Sequence, residues 1–166
     1  MDREKVVLIG PMGVGKSTLG RVVAKEFGWK YIDNDQDMAT ITGKSIEELA
    51  ALPVTELHKI EAKFILDVMK GDAPFISGAA ASVIENEEVQ QALLNVNAIY
   101  LSIPLEEIYL RTSAGVVGRQ ALNNQSDVIA ERFHRRDPLY RKFAHSVLEL
   151  SKSPEADAVK LAELIR

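Results

Sequence analysis

Three glycines, Gly10, Gly13 and Gly15, lead directly into Lys16 and Ser17. Glycines at those offsets let the backbone take positive φ and turn successive N–H groups onto anionic oxygens. A lysine placed next reaches β- and γ-phosphates, and a serine hydroxyl can offer itself to Mg²⁺. The whole segment, Gly10-Pro11-Met12-Gly13-Val14-Gly15-Lys16-Ser17, lies between the apolar run Val6-Val7-Leu8-Ile9 and an amphipathic stretch. The turn therefore joins a strand to a helix, whose positive dipole end adds to the anion site. The chemistry expected is the binding of a nucleotide by its phosphates.

A second set of groups follows the next short strand. Trp29 to Asp33 reads as extended chain ending in Asp33-Asn34-Asp35, and alternation along an extended segment points Asp33 and Asp35 to the same side, at the rim where phosphates should lie. One carboxylate could hold Mg²⁺ or its waters; the other could orient an attacking hydroxyl and accept its proton.

The elements that must position these groups alternate along the chain. Leu19, Val22, Val23 and Phe27 fall on one helical face, Ser45 to Glu48 forms a capping box, and Leu57, Ile60, Phe64 and Val68 continue a stripe after a break at Pro53. Ala73 to Ser77, Ala98 to Ile103 and Val147 to Leu150 read as strands; Glu87 to Leu94 reads as a helix, and Pro104 and Pro154 each open another. Helical pattern covers Ser126 to Arg136 and resumes after Pro138. Residues 113–125 carry glycines and no sustained periodicity, as a long mobile loop would. Strands alternating with helices predict an α/β fold, a three-layer sandwich around a five-stranded parallel sheet, with ligands at the carboxyl ends of the strands.

At 166 residues the chain suits one domain, 1–166. A net charge of -4 without a Lys/Arg block argues against nucleic acid. The absence of cysteine excludes disulfides and thiolate metal sites. Charges at Asp2, Arg3, Glu4 and Lys5 leave no room for a secretory leader, and no apolar run reaches the length of a membrane span. A cytoplasmic monomer with no membrane partner is expected.

With these residues in view, the chain resembles the shikimate kinase family, within the nucleoside monophosphate kinase-like group. The resemblance runs through nearly the whole chain. It rests on the loop at 10–17, on Asp33-Asn34-Asp35 with Thr42-Gly43-Lys44-Ser45, on Arg111-Thr112 and Arg119, on Arg135-Arg136-Asp137-Pro138-Leu139-Tyr140, and on Pro154. It implies ATP and Mg²⁺ as cofactors and a small hydroxylated acceptor as partner. It also implies a P-loop kinase architecture with an acceptor-binding helical region at about 34–62 and a mobile lid at about 113–125. The implied nucleotide contacts are Gly13, Val14, Gly15, Lys16, Ser17, Thr18, Arg111 and Pro154. Ser17 and Asp33 would serve the metal, Asp35 the acceptor hydroxyl, Arg136 the acceptor carboxylate and Arg119 the transferring phosphoryl group. Arg136 could instead pair with an acid such as Glu131 or Asp137.

The acceptor side departs from the family pattern. His58 stands where the family has an arginine that grips the acceptor carboxylate, and a neutral imidazole cannot make the bidentate fork of a guanidinium. Ala79-Ala80-Ala81 replaces three glycines, adding methyl groups that penalise positive φ and push back close neighbours, with Ala80 at the acceptor. Ser77 just before them is expected to serve a metal-bound water. The reading is therefore an ATP-dependent kinase for a hydroxyl of a small polyhydroxylated carboxylic acid, shikimate leading. The alternatives are another sugar acid such as gluconate, or a non-catalytic nucleotide-binding module.

Overall fold

Val6 to Ile9 is at most 1% exposed, which requires neighbours on both edges and cover on both faces. The structure, a computed structural model describing residues 1–113 and 126–166, supplies them. The strand containing this run, β1 (Asp2–Ile9), pairs in parallel with β3 (Phe75–Gly78) on one side and β4 (Val96–Ser102) on the other. β2 (Lys30–Ile32) adds to β3, and β5 (Ser146–Glu149) adds to β4, all in parallel. The order β2-β3-β1-β4-β5 confirms the five-stranded parallel sheet.

The period of two along β1 divides the core. Val7 and Ile9 face one layer, with Met38, Leu49, Leu57, Ile65 and Tyr140, whereas Val6 and Leu8 face the other, with Leu19, Val23, Leu161 and Ile165. The helices supplying the first layer include α2 (Asn34–Thr42), α3 (Ile46–Ala50), α4 (Val54–Lys70), α5 (Glu87–Leu93) and α7 (Ser126–Phe143). Those of the second are α1 (Lys16–Phe27), α6 (Leu105–Ser113) and α8 (Pro154–Ile165). None of the described helices is long and apolar enough to cross a membrane.

Three sequence expectations need correction. Val22 is 51% exposed; the buried stripe of α1 is Leu19, Gly20, Val23 and Ala24. The helix meets the sheet through Gly20, where an added Cβ would lie 2.5 Å from the Tyr31 ring. Asp33 and Asp35 do not belong to one extended segment: β2 ends at Ile32 and Asp33 is the N-cap of α2, because its short carboxylate accepts the orphan N–H groups of the first turn. Finally, α7 runs unbroken through Pro138. Its lost backbone bond is offset by side chains that tie it to the sheet: the Tyr100 hydroxyl donates to Asp137 at 2.7 Å, and the Tyr100 and Tyr140 rings stack 4.9 Å apart.

Candidate active site

The loop between β1 and α1 takes the conformation its glycines permit, with φ of 147° at Gly10, 79° at Gly13 and 99° at Gly15. Gly10 is doubly constrained: a Cβ there would sit 2.7 Å from the Leu101 carbonyl oxygen. Gly15 caps α1, so the first free N–H groups of the helix point into the loop. Val14 turns its side chain into the core at 2% exposure, leaving its backbone for a ligand, while Ser17 and Thr18 stay exposed on the first turn. Arg111 on α6 donates from Nη1 to the Gly13 carbonyl at 3.0 Å, which places it against the loop. Pro154 opens α8, just beyond β5, with Ser153 as its cap.

Lys16 Nζ folds back onto the loop and donates to the Gly10 and Pro11 carbonyls, each at 2.7 Å. Burial lowers its pKa to about 7, Arg136 pushes in the same direction, and Asp35 and Glu61 oppose them. The ammonium group thus feels the other candidate residues directly. Glu61 was overlooked as a site residue in the sequence; it is 4% exposed on α4 and accepts from Ser82 at 3.4 Å. Its position on the buried side of a helical stripe is the signal that marks it, since a carboxylate there needs a partner.

The two aspartates have separate circumstances. Asp33 is buried; its Oδ1 accepts from Asp35 N at 2.9 Å and Gln36 N at 2.8 Å, and its Oδ2 pairs with Arg21. Asp35, in the first turn of α2, is exposed. Near Asp33, the buried Tyr31 hydroxyl lies against Ser17 and Gly78. This polar atom beside Ser17 and Asp33 fits a hydrated Mg²⁺.

Ser77 is fully buried and donates to the Ile32 carbonyl at 3.1 Å, which joins β3 to the end of β2 and leaves the hydroxyl oxygen its acceptor lone pairs. The argument from backbone strain at Ala79-Ala80-Ala81 falls, since among the described residues none other than glycine has positive φ and Ala80 sits at φ -60°. The methyl groups alone distinguish that segment.

Arg136 on α7 is 8% exposed and donates from Nε to Glu85 at 2.9 Å. Neither anticipated acid takes it: Glu131 pairs with Arg135, and Asp137 with Arg141. Glu85 lies far from both in sequence, at the end of the 3₁₀ turn Ala81–Glu85, with no periodic signal to expose it. The Tyr140 hydroxyl donates to the Ala81 carbonyl at 2.7 Å, fixing α7 against that turn. His58 on α4 faces the same group; burial, then Arg136, hold its pKa below the usual value, so it is neutral at pH 7. Its Nε2 is buried with no hydrogen-bond partner among the described residues. Arg119, with the expected lid, lies outside the described residues.

Comparison with known proteins identifies the family. A sequence model described as shikimate kinase matches residues 12–166. The shikimate kinase of Bacillus subtilis is 30% identical over 164 residues, covering 97% of this chain and 88% of that protein. That of Pseudomonas syringae pv. tomato is 29% identical, covering 96% of each. The solved structure of shikimate kinase from Acinetobacter baumannii in complex with shikimate superposes with a TM-score of 0.84 at 25% identity, covering 96% of this chain and 91% of that one.

Proposed function

Because the chain belongs to the shikimate kinase family, we propose that it transfers the γ-phosphoryl group of ATP to a hydroxyl of shikimate, as a single kinase domain acting in the cytoplasm. The observation that carries this reading is the phosphate loop, whose Gly10, Gly13 and Gly15 take positive φ ahead of Lys16 and the start of α1, with Asp35 and Arg136 near enough to act on the Lys16 charge. One cation can meet the transferring phosphoryl group, one carboxylate the attacking hydroxyl, and a second cation the anionic end of the acceptor. A relative's structure with shikimate bound supports the acceptor.

Phosphoryl transfer asks little covalent chemistry of the protein and much positioning. In this reading the N–H groups of residues 13–18 hold the phosphates, and Lys16 leaves the Gly10 and Pro11 carbonyls to neutralise charge on the β- and γ-oxygens. Arg111 and Pro154 flank the adenine. Asp35 accepts a hydrogen bond from the acceptor hydroxyl; as its oxygen bonds to the γ-phosphorus and ADP departs, the carboxylate takes the proton. Arg136 holds the acceptor carboxylate, with His58 and Ala80 completing the pocket wall. Ser17 and Asp33 would hold Mg²⁺. When bound, the ion neutralises phosphate charge during transfer.

Acceptor-dependent ADP release, measured with Mg-ATP and a panel of shikimate, gluconate and related acids, tests the reading. Shikimate should give the highest kcat/KM. Asp35→Asn should lower turnover about 10²–10⁴-fold with nucleotide binding retained. If no acceptor stimulates ADP release while the nucleotide still binds, the protein is a nucleotide-binding module and the proposal is wrong.

A further inference from the structure

The guanidinium assigned to the acceptor carboxylate already holds a carboxylate of the chain itself. Arg136 is nearly enclosed, and its Nε–H goes to Glu85 Oε2 at 2.9 Å, while Arg135 takes Glu85 Oε1. The terminal nitrogens of Arg136 make no hydrogen bond among the described residues. Glu85 is part of a fixed wall rather than a wandering surface acid: the turn carrying it is tied to α7 through Tyr140 and Ala81, and Asn86 caps α5 immediately after it. Beside the same two groups lies His58 on α4, which is neutral and has a buried Nε2 with no hydrogen-bond partner among the described residues.

From this arrangement we propose that Glu85 is a specificity-determining residue that weakens the pocket's preference for a carboxylate over an uncharged polar group. The inference rests on the proposed role of Arg136 at the acceptor. A carboxylate entering the pocket must share one guanidinium with Glu85 and can engage it only through the terminal nitrogens, because the Nε edge is taken. Even with Arg135 on the other oxygen of Glu85, two carboxylates on the Arg136 guanidinium repel each other, whereas an ester or a hydroxyl at the same place feels no such repulsion. His58 can donate to or accept from a neutral group equally well, since one ring nitrogen of a neutral imidazole carries a proton and the other does not. Together these two residues reduce, without abolishing, the advantage that Arg136 gives an acid over its neutral analogue.

The test compares shikimate with its methyl ester in the wild type and in Glu85→Gln, which removes the charge and keeps an oxygen able to accept from Arg136. Both the dissociation constants, by calorimetry, and kcat/KM are read. The preference for the acid over the ester should rise about tenfold in Glu85→Gln, corresponding to one anion removed from a partly buried guanidinium. Glu85→Ser, with matched thermal melting, should move the ratio in the same direction. A merely structural role would weaken acid and ester alike and leave the ratio in place; that result, with turnover intact, overturns the role of Glu85 and spares the kinase reading. A binding ratio that shifts while neither compound is phosphorylated supports the role of Glu85 and overturns the kinase reading.

Discussion

Lys16 is the residue on which nucleotide binding leaves a measurable proton signature. Burial, with Arg136 adding to it, lowers its pKa to about 7, so without a phosphate beside it Lys16 should be partly neutral at pH 7. Phosphate oxygens favour the charged form and raise that pKa, so binding takes up protons. The uptake should be about half a proton at pH 7, approach one by pH 8 and vanish near pH 6. Affinity should accordingly decline as pH rises above 7. Calorimetric titration of Mg-ATP in two buffers of different ionisation enthalpy measures the uptake; equal heats in both at pH 7.5 would show that Lys16 is fully charged before the ligand arrives.

Helix α7 is the element that turns a plausible arginine into a usable one. Three residues around Arg136 fix it: Asp137 accepts from Tyr100, Tyr140 stacks on Tyr100, and the Tyr140 hydroxyl reaches the Ala81 carbonyl. Tyr140→Phe keeps the ring and leaves that buried carbonyl unsatisfied, at a cost of about 1–3 kcal/mol. Because the same bond ties α7 to the turn carrying Glu85, the acceptor KM should rise several-fold with the KM for ATP unchanged; steady-state kinetics with each substrate varied in turn distinguishes this from general unfolding. Sequence reasoning reached the capping box at Ser45 and the break at Pro53, where local chemistry decides. It carried the extended strand on through Asp35, although the family resemblance set a helical region from about 34, and it missed the continuity of α7. In both, an extended or broken reading was locally reasonable, and a side-chain cap in one and aromatic contacts from β4 in the other reversed it.

Across the whole molecule, the sheet places the phosphate loop, the β2 terminus and the turn after β3 on one rim, so a ligand bound there should brace several elements together. Mg-ATP at about a hundred times its dissociation constant should stabilise the fold by about 2.7 kcal/mol. For a chain of this size that is a rise of roughly 5–10 °C in thermal midpoint, readable by scanning calorimetry, and Lys16→Ala should abolish most of it. The sequence by itself determined the phosphate loop, the alternation of strands and helices and hence the parallel sheet, because glycine offsets and apolar periods act over a few neighbouring residues. Only the tertiary structure decided that Asp33 is enclosed while Asp35 is open, that Ser77 donates within the sheet, and that Arg136 meets Glu85 from 51 positions away. The reason is physical: a charge chooses its partner by distance and dielectric in the folded chain, and neither quantity is written in residue spacing.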